Sequence, residues 1–308
     1  MGVGQGPGRH HLNVHTAFKA YESVRARLPS VQRSAACEVA ENLDAISHLF
    51  DVFLLDAFGV LNIGETAIPG APERVAGLQR QGKRVIVVSN AASLPKPALL
   101  EKYARLGFDL KPDDLVTSRM ATLEALRSEP ERHWGLMLPK DADHNDIDHI
   151  NVSYLADDPA IFDAVDAFLL LGSGAWSDAR QTLLERALLR NPRPVLVGNP
   201  DIVAPREYGF STEPGFFAHR LADRTGIEPT FCGKPFPGIY QLALARASET
   251  DPARTLMVGD SLHTDILGGQ TAGVKTALIT EFGFFAGSDP MEPIRMSGIQ
   301  PDYLLRRP

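Results

Sequence analysis

Two kinds of pattern alternate along the chain. Val52-Phe53-Leu54-Leu55 and Arg84-Val85-Ile86-Val87-Val88 are short, nearly unbroken apolar runs, and each stops on polar residues, Asp56 and Ser89-Asn90. Runs of this length without polar alternation predict strands buried on both faces. Pro72 to Gly82 between them and Pro97 to Gly107 after them carry apolar residues at helical spacing, and Asp114 to Thr117 predicts a further strand. Strand, helix, strand with apolar strands predicts a parallel sheet covered on both sides. The pattern returns late: a helix over Phe236 to Ala247, a strand over Thr255 to Val258 that ends on Gly259-Asp260, a helix over Thr264 to Gly273 and a strand over Val274 to Ile279. Ahead of all this, Thr16 to Leu28 and Ala36 to Phe50 read as two helices. The first eleven residues, rich in glycine and lacking an apolar run, are expected to be a floppy leader and not a signal peptide.

The middle of the chain repeats the α/β pattern on its own. Gly135 to Leu138, Asn151 to Leu155, Ala167 to Leu171 and Pro194 to Val197 are strand candidates, and Asp178 to Leu189 is an amphipathic helix. The stretch between Ser89 and Lys234 far exceeds what one crossover within a sheet requires. A folded unit is therefore expected inside it, at 119–206, interrupting a core of 50–118 plus 207–308, with 1–49 as leader and helices.

Composition narrows the function. The 308 residues include 31 Lys and Arg against 38 Asp and Glu, a net charge of -7, so the chain lacks the basic surface that holds a polyanion, and no nucleic acid partner is expected. No apolar run approaches the roughly 20 residues a bilayer crossing needs, so no membrane is expected either. Cys37 and Cys232 lie far apart, which argues against a disulfide framework or a cysteine metal site and for a reducing, cytoplasmic setting.

In a parallel α/β sheet, ligands bind beyond the carboxyl ends of the strands. Three expected strands end there in polar residues. A single Asp at such a place is often only a turn residue, so the ordered set carries the argument: Asp56-Ala57-Phe58-Gly59-Val60-Leu61, Val87-Val88-Ser89-Asn90, Gly233-Lys234-Pro235 and Gly259-Asp260-Ser261-Leu262-His263-Thr264-Asp265. In this order the segments resemble the four motifs of the haloacid-dehalogenase-like (HAD) superfamily. Gly233-Lys234-Pro235-x-Pro237-x-x-Tyr240, Gly259-Asp260-x-x-x-Thr264-Asp265 and Gly198-Asn199-Pro200-Asp201 resemble its class IIA, the para-nitrophenylphosphatase and N-acetylglucosamine-phosphatase group. The resemblance spans roughly Phe50 to Ile279. It implies a three-layer, Rossmann-like parallel-sheet core with an inserted C2-type α/β cap domain that closes over the site.

The resemblance also implies roles. Asp56 would attack phosphorus and form an acyl phosphate. Mg²⁺, which prefers oxygen ligands, would be held by Asp56, Asp260 and the backbone carbonyl of Phe58, with Asp265 steadying the metal site. Lys234 would neutralise charge on nucleophile and phosphoryl group, and Ser89 would donate to phosphoryl oxygens, making Asp56, Ser89 and Lys234 the catalytic set. Asn90, with Gly172, Gly174, Asn199 and Asp201 from the insert, would face the substrate. The expected partner is a small phosphorylated metabolite, and a homodimer is compatible with the sequence.

One position departs from the pattern. The phosphatases of this group place a second aspartate two residues after the nucleophile, where it protonates the leaving alcohol and then activates water; here that residue is Phe58. A phenyl ring does neither. Three readings follow: a slow phosphatase in which another group supplies the proton, with Glu65, Asn62 and His263 as nearby replacements; a metal-independent haloacid-type dehalogenase using Asp56, whose halide leaves without a proton; and a non-catalytic phosphate-ligand binder.

Overall fold

A computed structural model of the chain describes residues 13–31, 37–142, 145–206, 209–247 and 251–308; the expected leader lies outside them. Seven parallel strands form one sheet, in the order Glu38–Ala40, Tyr303–Leu305, Lys275–Ile279, Thr255–Gly259, Val52–Leu55, Arg84–Ser89, Leu115–Thr117. The central strands are apolar throughout because both of their faces are covered. Phe53, Leu55, Val85 and Val87 pack on one side with Val75 and Leu78 of the helix Ala71–Arg80 and Leu99 and Tyr103 of the helix Lys96–Arg105. Val52, Leu54, Ile86 and Val88 pack on the other with Ile239, Tyr240 and Ala243 of the helix Pro237–Arg246. The period of two along a strand sends alternate side chains to these two apolar layers.

Five further parallel strands form a second sheet, in the order Thr230–Phe231, Val195–Val197, Ala167–Leu170, Trp134–Met137, Val152–Tyr154. Leu136, Leu169 and Leu196 on one face join the apolar cluster of the first sheet, while Phe168, Leu170 and Val197 on the other pack under the helices Asp178–Arg190 and Pro214–Thr225. The elements of this sheet therefore run on to Phe231, past residue 206, where the sequence placed the end of the insert. At its other margin, Ser118–Leu126 is a helix packed on the core helix Pro237–Arg246. The fully buried Arg119 on that helix holds the Asp146 carboxylate at 2.9 Å and the Ala92 carbonyl at 2.9 Å. No described helix is long and apolar enough to cross a membrane.

Ala36 to Phe50 is not one helix. Glu38–Ala40 is an edge strand and only Leu43–Ile46 is α-helical, followed by a short 3-10 turn. The strand exists because it pairs with Tyr303–Leu305, at the far end of the chain, and no local periodicity reports such a pairing. The helix expected from Thr264 starts instead as a π turn over Leu262–Ile266 and becomes α-helical only at Leu267–Thr271. Two antiparallel hairpins, Asn62–Ile63 with Thr66–Ala67 and Val203–Arg206 with Gly209–Thr212, complete the architecture.

Candidate active site

The strand Val52–Leu55 delivers Asp56, the strand Arg84–Ser89 delivers Ser89 and Asn90, and the strand Thr255–Gly259 delivers Asp260. All three strands run in the same direction, so all three chain segments leave the sheet on the same side. Lys234 arrives between the short strand Thr230–Phe231 and the helix Pro237–Arg246. Its ammonium lies 2.5 Å from Asp56 Oδ1 and 2.6 Å from Asp265 Oδ1. Asp56, Asp260 and Asp265 each place a carboxylate oxygen within 4.8 Å of the others, and all three are buried.

Each of these side chains is fixed by a second interaction. The Ala57 N–H donates to Asp56 Oδ1 at 2.7 Å, the Phe284 N–H to Asp260 Oδ2 at 2.7 Å and the Ser261 N–H to Asp265 Oδ2 at 3.1 Å. Gly59 (φ 78°) and Gly283 (φ 74°) adopt the left-handed backbone and form a cradle for Asp260, since a Cβ at either position would land on its carboxylate. Ser89 is buried beside Asp56, accepts the Ala91 N–H at 3.2 Å and shares a hydrogen bond with Tyr103. Asn90 receives the Lys234 N–H at Oδ1 (2.7 Å) and donates through Nδ2 to the Lys234 carbonyl (3.0 Å) and to Asp201 Oδ1 (2.7 Å).

Charge in the cluster is unbalanced. Burial, helped by the neighbouring Asp265 and opposed by Lys234 and the Ala57 N–H, pushes the Asp56 carboxyl up to about 7. Burial likewise holds Asp260 well above the usual carboxylate range, with Asp56 and Asp265 adding to the effect. For Lys234, burial works against the charged form, but the carboxylates of Asp265 and Asp56 outweigh it and hold the ammonium above its ordinary value. Three buried carboxylates around one ammonium leave surplus negative charge and an all-oxygen donor set, which suits a hard divalent cation.

The cluster opens into a cavity of about 940 Å³ whose walls come from both sheets. Gly172 and Gly174 line it beyond the strand Ala167–Leu170, as do Asn199 and Asp201 from the segment that follows Val195–Val197. The Gly172 Cα packs so near the core loop that a Cβ there would lie 3.0 Å from Ser93 Cβ. Asn199 is committed to local structure: Oδ1 accepts the Asp201 N–H at 2.9 Å and Nδ2 donates to Glu213 at 3.2 Å.

The ring of Phe58 also lines the cavity, with the Lys102 ammonium 5.5 Å and the Arg206 guanidinium 5.0 Å from its centroid. Of the groups considered for the missing proton transfer, Asn62 donates to the Gly64 carbonyl at 2.7 Å and Glu65 pairs with Lys102 at 2.7 Å. His263 is buried away from the cavity lining, stacked on Tyr21 at 5.0 Å and bonded to Glu22 at 2.5 Å; burial lowers its pKa while Glu22 resists. Sequence reasoning missed Tyr21, Arg206 and Phe284 in the cavity wall. Phe284 follows a strand end, Ile279, so the rule that found Asp56 applied there as well; Tyr21 and Arg206 reach the site by tertiary packing alone.

Comparison with known proteins points to one family. A family described as haloacid dehalogenase-like hydrolase matches residues 53–152, and a HAD-hydrolase-like family matches residues 231–306. Chronophin from Mus musculus is 35% identical over 233 residues, covering 73% of this chain and 79% of chronophin. Glycerol-3-phosphate phosphatase from Gallus gallus is 32% identical over 291 residues, covering 85% of this chain and 91% of that protein. The solved p-nitrophenyl phosphatase from Archaeoglobus fulgidus has the same fold, with a TM-score of 0.67 at 24% identity over 84% of this chain and 96% of its own.

Proposed function

The chain belongs to the haloacid dehalogenase-like hydrolases, in the class IIA group of para-nitrophenylphosphatase and N-acetylglucosamine-phosphatase type, and from that premise we propose that it hydrolyses a small phosphomonoester with the Asp56 carboxylate as nucleophile. The observation that carries this reading is the Lys234 ammonium held between Asp56 and Asp265 at the floor of a cavity large enough for a metabolite.

The Ala57 N–H and Lys234 both engage Asp56 Oδ1, which leaves Oδ2 as the atom to attack phosphorus. Lys234 offsets the repulsion between that carboxylate and the incoming phosphoryl oxygens, and the Ser89 hydroxyl donates to one of them. Asp56, Asp260 and the Phe58 carbonyl would hold Mg²⁺, with Asp265 steadying the cluster while it grips Lys234. When bound, the ion supplies positive charge against the phosphoryl oxygens. The five-stranded unit acts as the cap: Gly172 and Gly174 face the part of the substrate that does not react, and closing them over the site excludes water.

The test is hydrolysis of an activated aryl phosphate with Mg²⁺ and with a chelator, in wild type and Asp56→Asn. Turnover that needs the metal and vanishes in the variant supports the reading. Turnover unchanged by the chelator, or a phosphate ester that binds and stays intact, contradicts it.

A further inference from the structure

The proposed hydrolysis needs a proton transfer twice, one given to the departing alkoxide and one taken from the attacking water, and the Phe58 ring takes part in neither. Four carboxylates besides the metal cluster line the cavity: Glu65, Asp141, Asp201 and Glu213. Glu65 is paired with Lys102 and mostly in solvent, and Asp141 is exposed. Glu213 is paired with Arg206 at 3.0 Å and accepts from Ser211 at 2.6 Å and from Asn199.

Asp201 differs from all three. It forms no ion pair among the described residues, and its Oδ1 accepts from Asn90, the same amide that holds the Lys234 backbone. One asparagine thus fixes Asp201 relative to the residue whose ammonium holds the nucleophile. Asp201 also lines the same cavity as Asp56 and Lys234, on the segment that follows the second-sheet strand Val195–Val197. We propose that Asp201 is the general acid and then the general base of this site, doing what Phe58 does not.

The inference rests on the phosphatase reading. In the first step the Asp201 carboxyl gives its proton to the bridging oxygen as the bond from Asp56 to phosphorus forms and the bond to that oxygen breaks, releasing the alcohol. In the second, the Asp201 carboxylate takes a proton from water as the water oxygen bonds to phosphorus and the Asp56 carboxylate leaves, giving inorganic phosphate and restoring the acid. The charged and titratable groups facing Asp201 are Lys234, Asp56, Glu213 and the Tyr21 and Tyr240 hydroxyls. Burial raises its carboxyl to about 8 against the pull of Lys234 and Asn90, so it holds a proton near neutral pH.

The experiment compares a phosphate ester of a simple alkyl alcohol, whose leaving group must be protonated, with an activated aryl phosphate, whose leaving group need not be. Asp201→Asn is expected to slow the alkyl ester by about 10²-fold or more while the pre-steady-state burst of aryl alcohol stays within a few-fold of wild type. The alkaline fall in alkyl-ester turnover disappears in that variant, and Asp201→Glu recovers part of the loss. Equal loss on both esters, or no loss on either, overturns the inference while leaving the phosphatase reading in place. If Asp201→Asn does not fold, Asp201→Glu decides: a loss confined to the alkyl ester supports the role, and an equal loss overturns it. A wild-type protein that turns over neither ester overturns the phosphatase reading and this inference together.

Discussion

The two ends of the cavity are built on different principles. At the sheet end, Asp56, Asp260, Asp265 and Lys234 are buried, and each is held by at least one backbone N–H or by an ion pair of 2.6 Å or less. At the cap end, glycines, Asn199, Asp201 and the hairpin Val203–Arg206 with Gly209–Thr212 make the wall, and side-chain contacts such as Asn90 to Asp201 and Arg206 over Phe58 connect it to the core. A rigid floor holds charges that repel one another and keeps them positioned for chemistry. A wall joined through side chains can be remodelled around different substrates without disturbing that floor.

The largest test of this contrast is Lys234→Met. Removing one partner of a buried pair leaves Asp56 and Asp265 facing each other, so urea unfolding should show a loss of about 3–5 kcal/mol, and turnover should drop at least about 10²-fold. A variant of unchanged stability would show that the floor is not held by this ammonium.

Gly59→Ala comes next. The added Cβ demands a strained backbone and the space of the Asp260 carboxylate, so its effect should fall on metal binding. Mg²⁺ at a hundredfold excess over its dissociation constant should stabilise the wild type by about 2.7 kcal/mol and the variant by much less. Equal stabilisation of both would separate Asp260 from the metal.

A smaller effect is expected from pH. Asp56 and Asp260 are raised in the folded chain, so between about 4 and about 7 the folded state holds more protons than the unfolded one, and this contribution to stability is lost as pH rises through that window. Without metal, melting curves of wild type should therefore decline more over this range than those of Asp260→Asn, and Mg²⁺ should narrow the difference. Identical slopes would show that the surplus charge is neutralised in some other way. At the cap end, Gly172→Ala presses on Ser93 and should change KM with kcat held within about threefold. A large fall in kcat there would erase the distinction between floor and wall.

The same contrast explains what the sequence revealed. Strands such as Val52–Leu55 and Thr255–Gly259 are buried on both faces, so their apolar runs were plain, and the polar residues at their ends marked the floor. Glu38–Ala40 was misread as helix because its only reason to be a strand is a partner some 260 residues away. The helix Pro214–Thr225 and the strand Thr230–Phe231 were not anticipated because their burial depends on packing against the second sheet, and the hairpin with Arg206 because Val203 and Phe210 pack with Phe284, far along the chain. The second sheet accordingly includes Thr230–Phe231, beyond residue 206. Asp201 was legible as a cavity residue, but its bond to Asn90, and hence its place beside Lys234, required the fold.

The central claim is that Asp56 becomes covalently phosphorylated. Acid quench during turnover of an aryl phosphate with Mg²⁺, followed by mass analysis of the peptide bearing Asp56, tests it directly. The account predicts one phosphoryl group on that peptide in wild type, an increased amount in Asp201→Asn because water attack is slowed, and none in Asp56→Asn. Turnover with no phosphorylated peptide at any quench time, or a phosphoryl group on another residue, would contradict it.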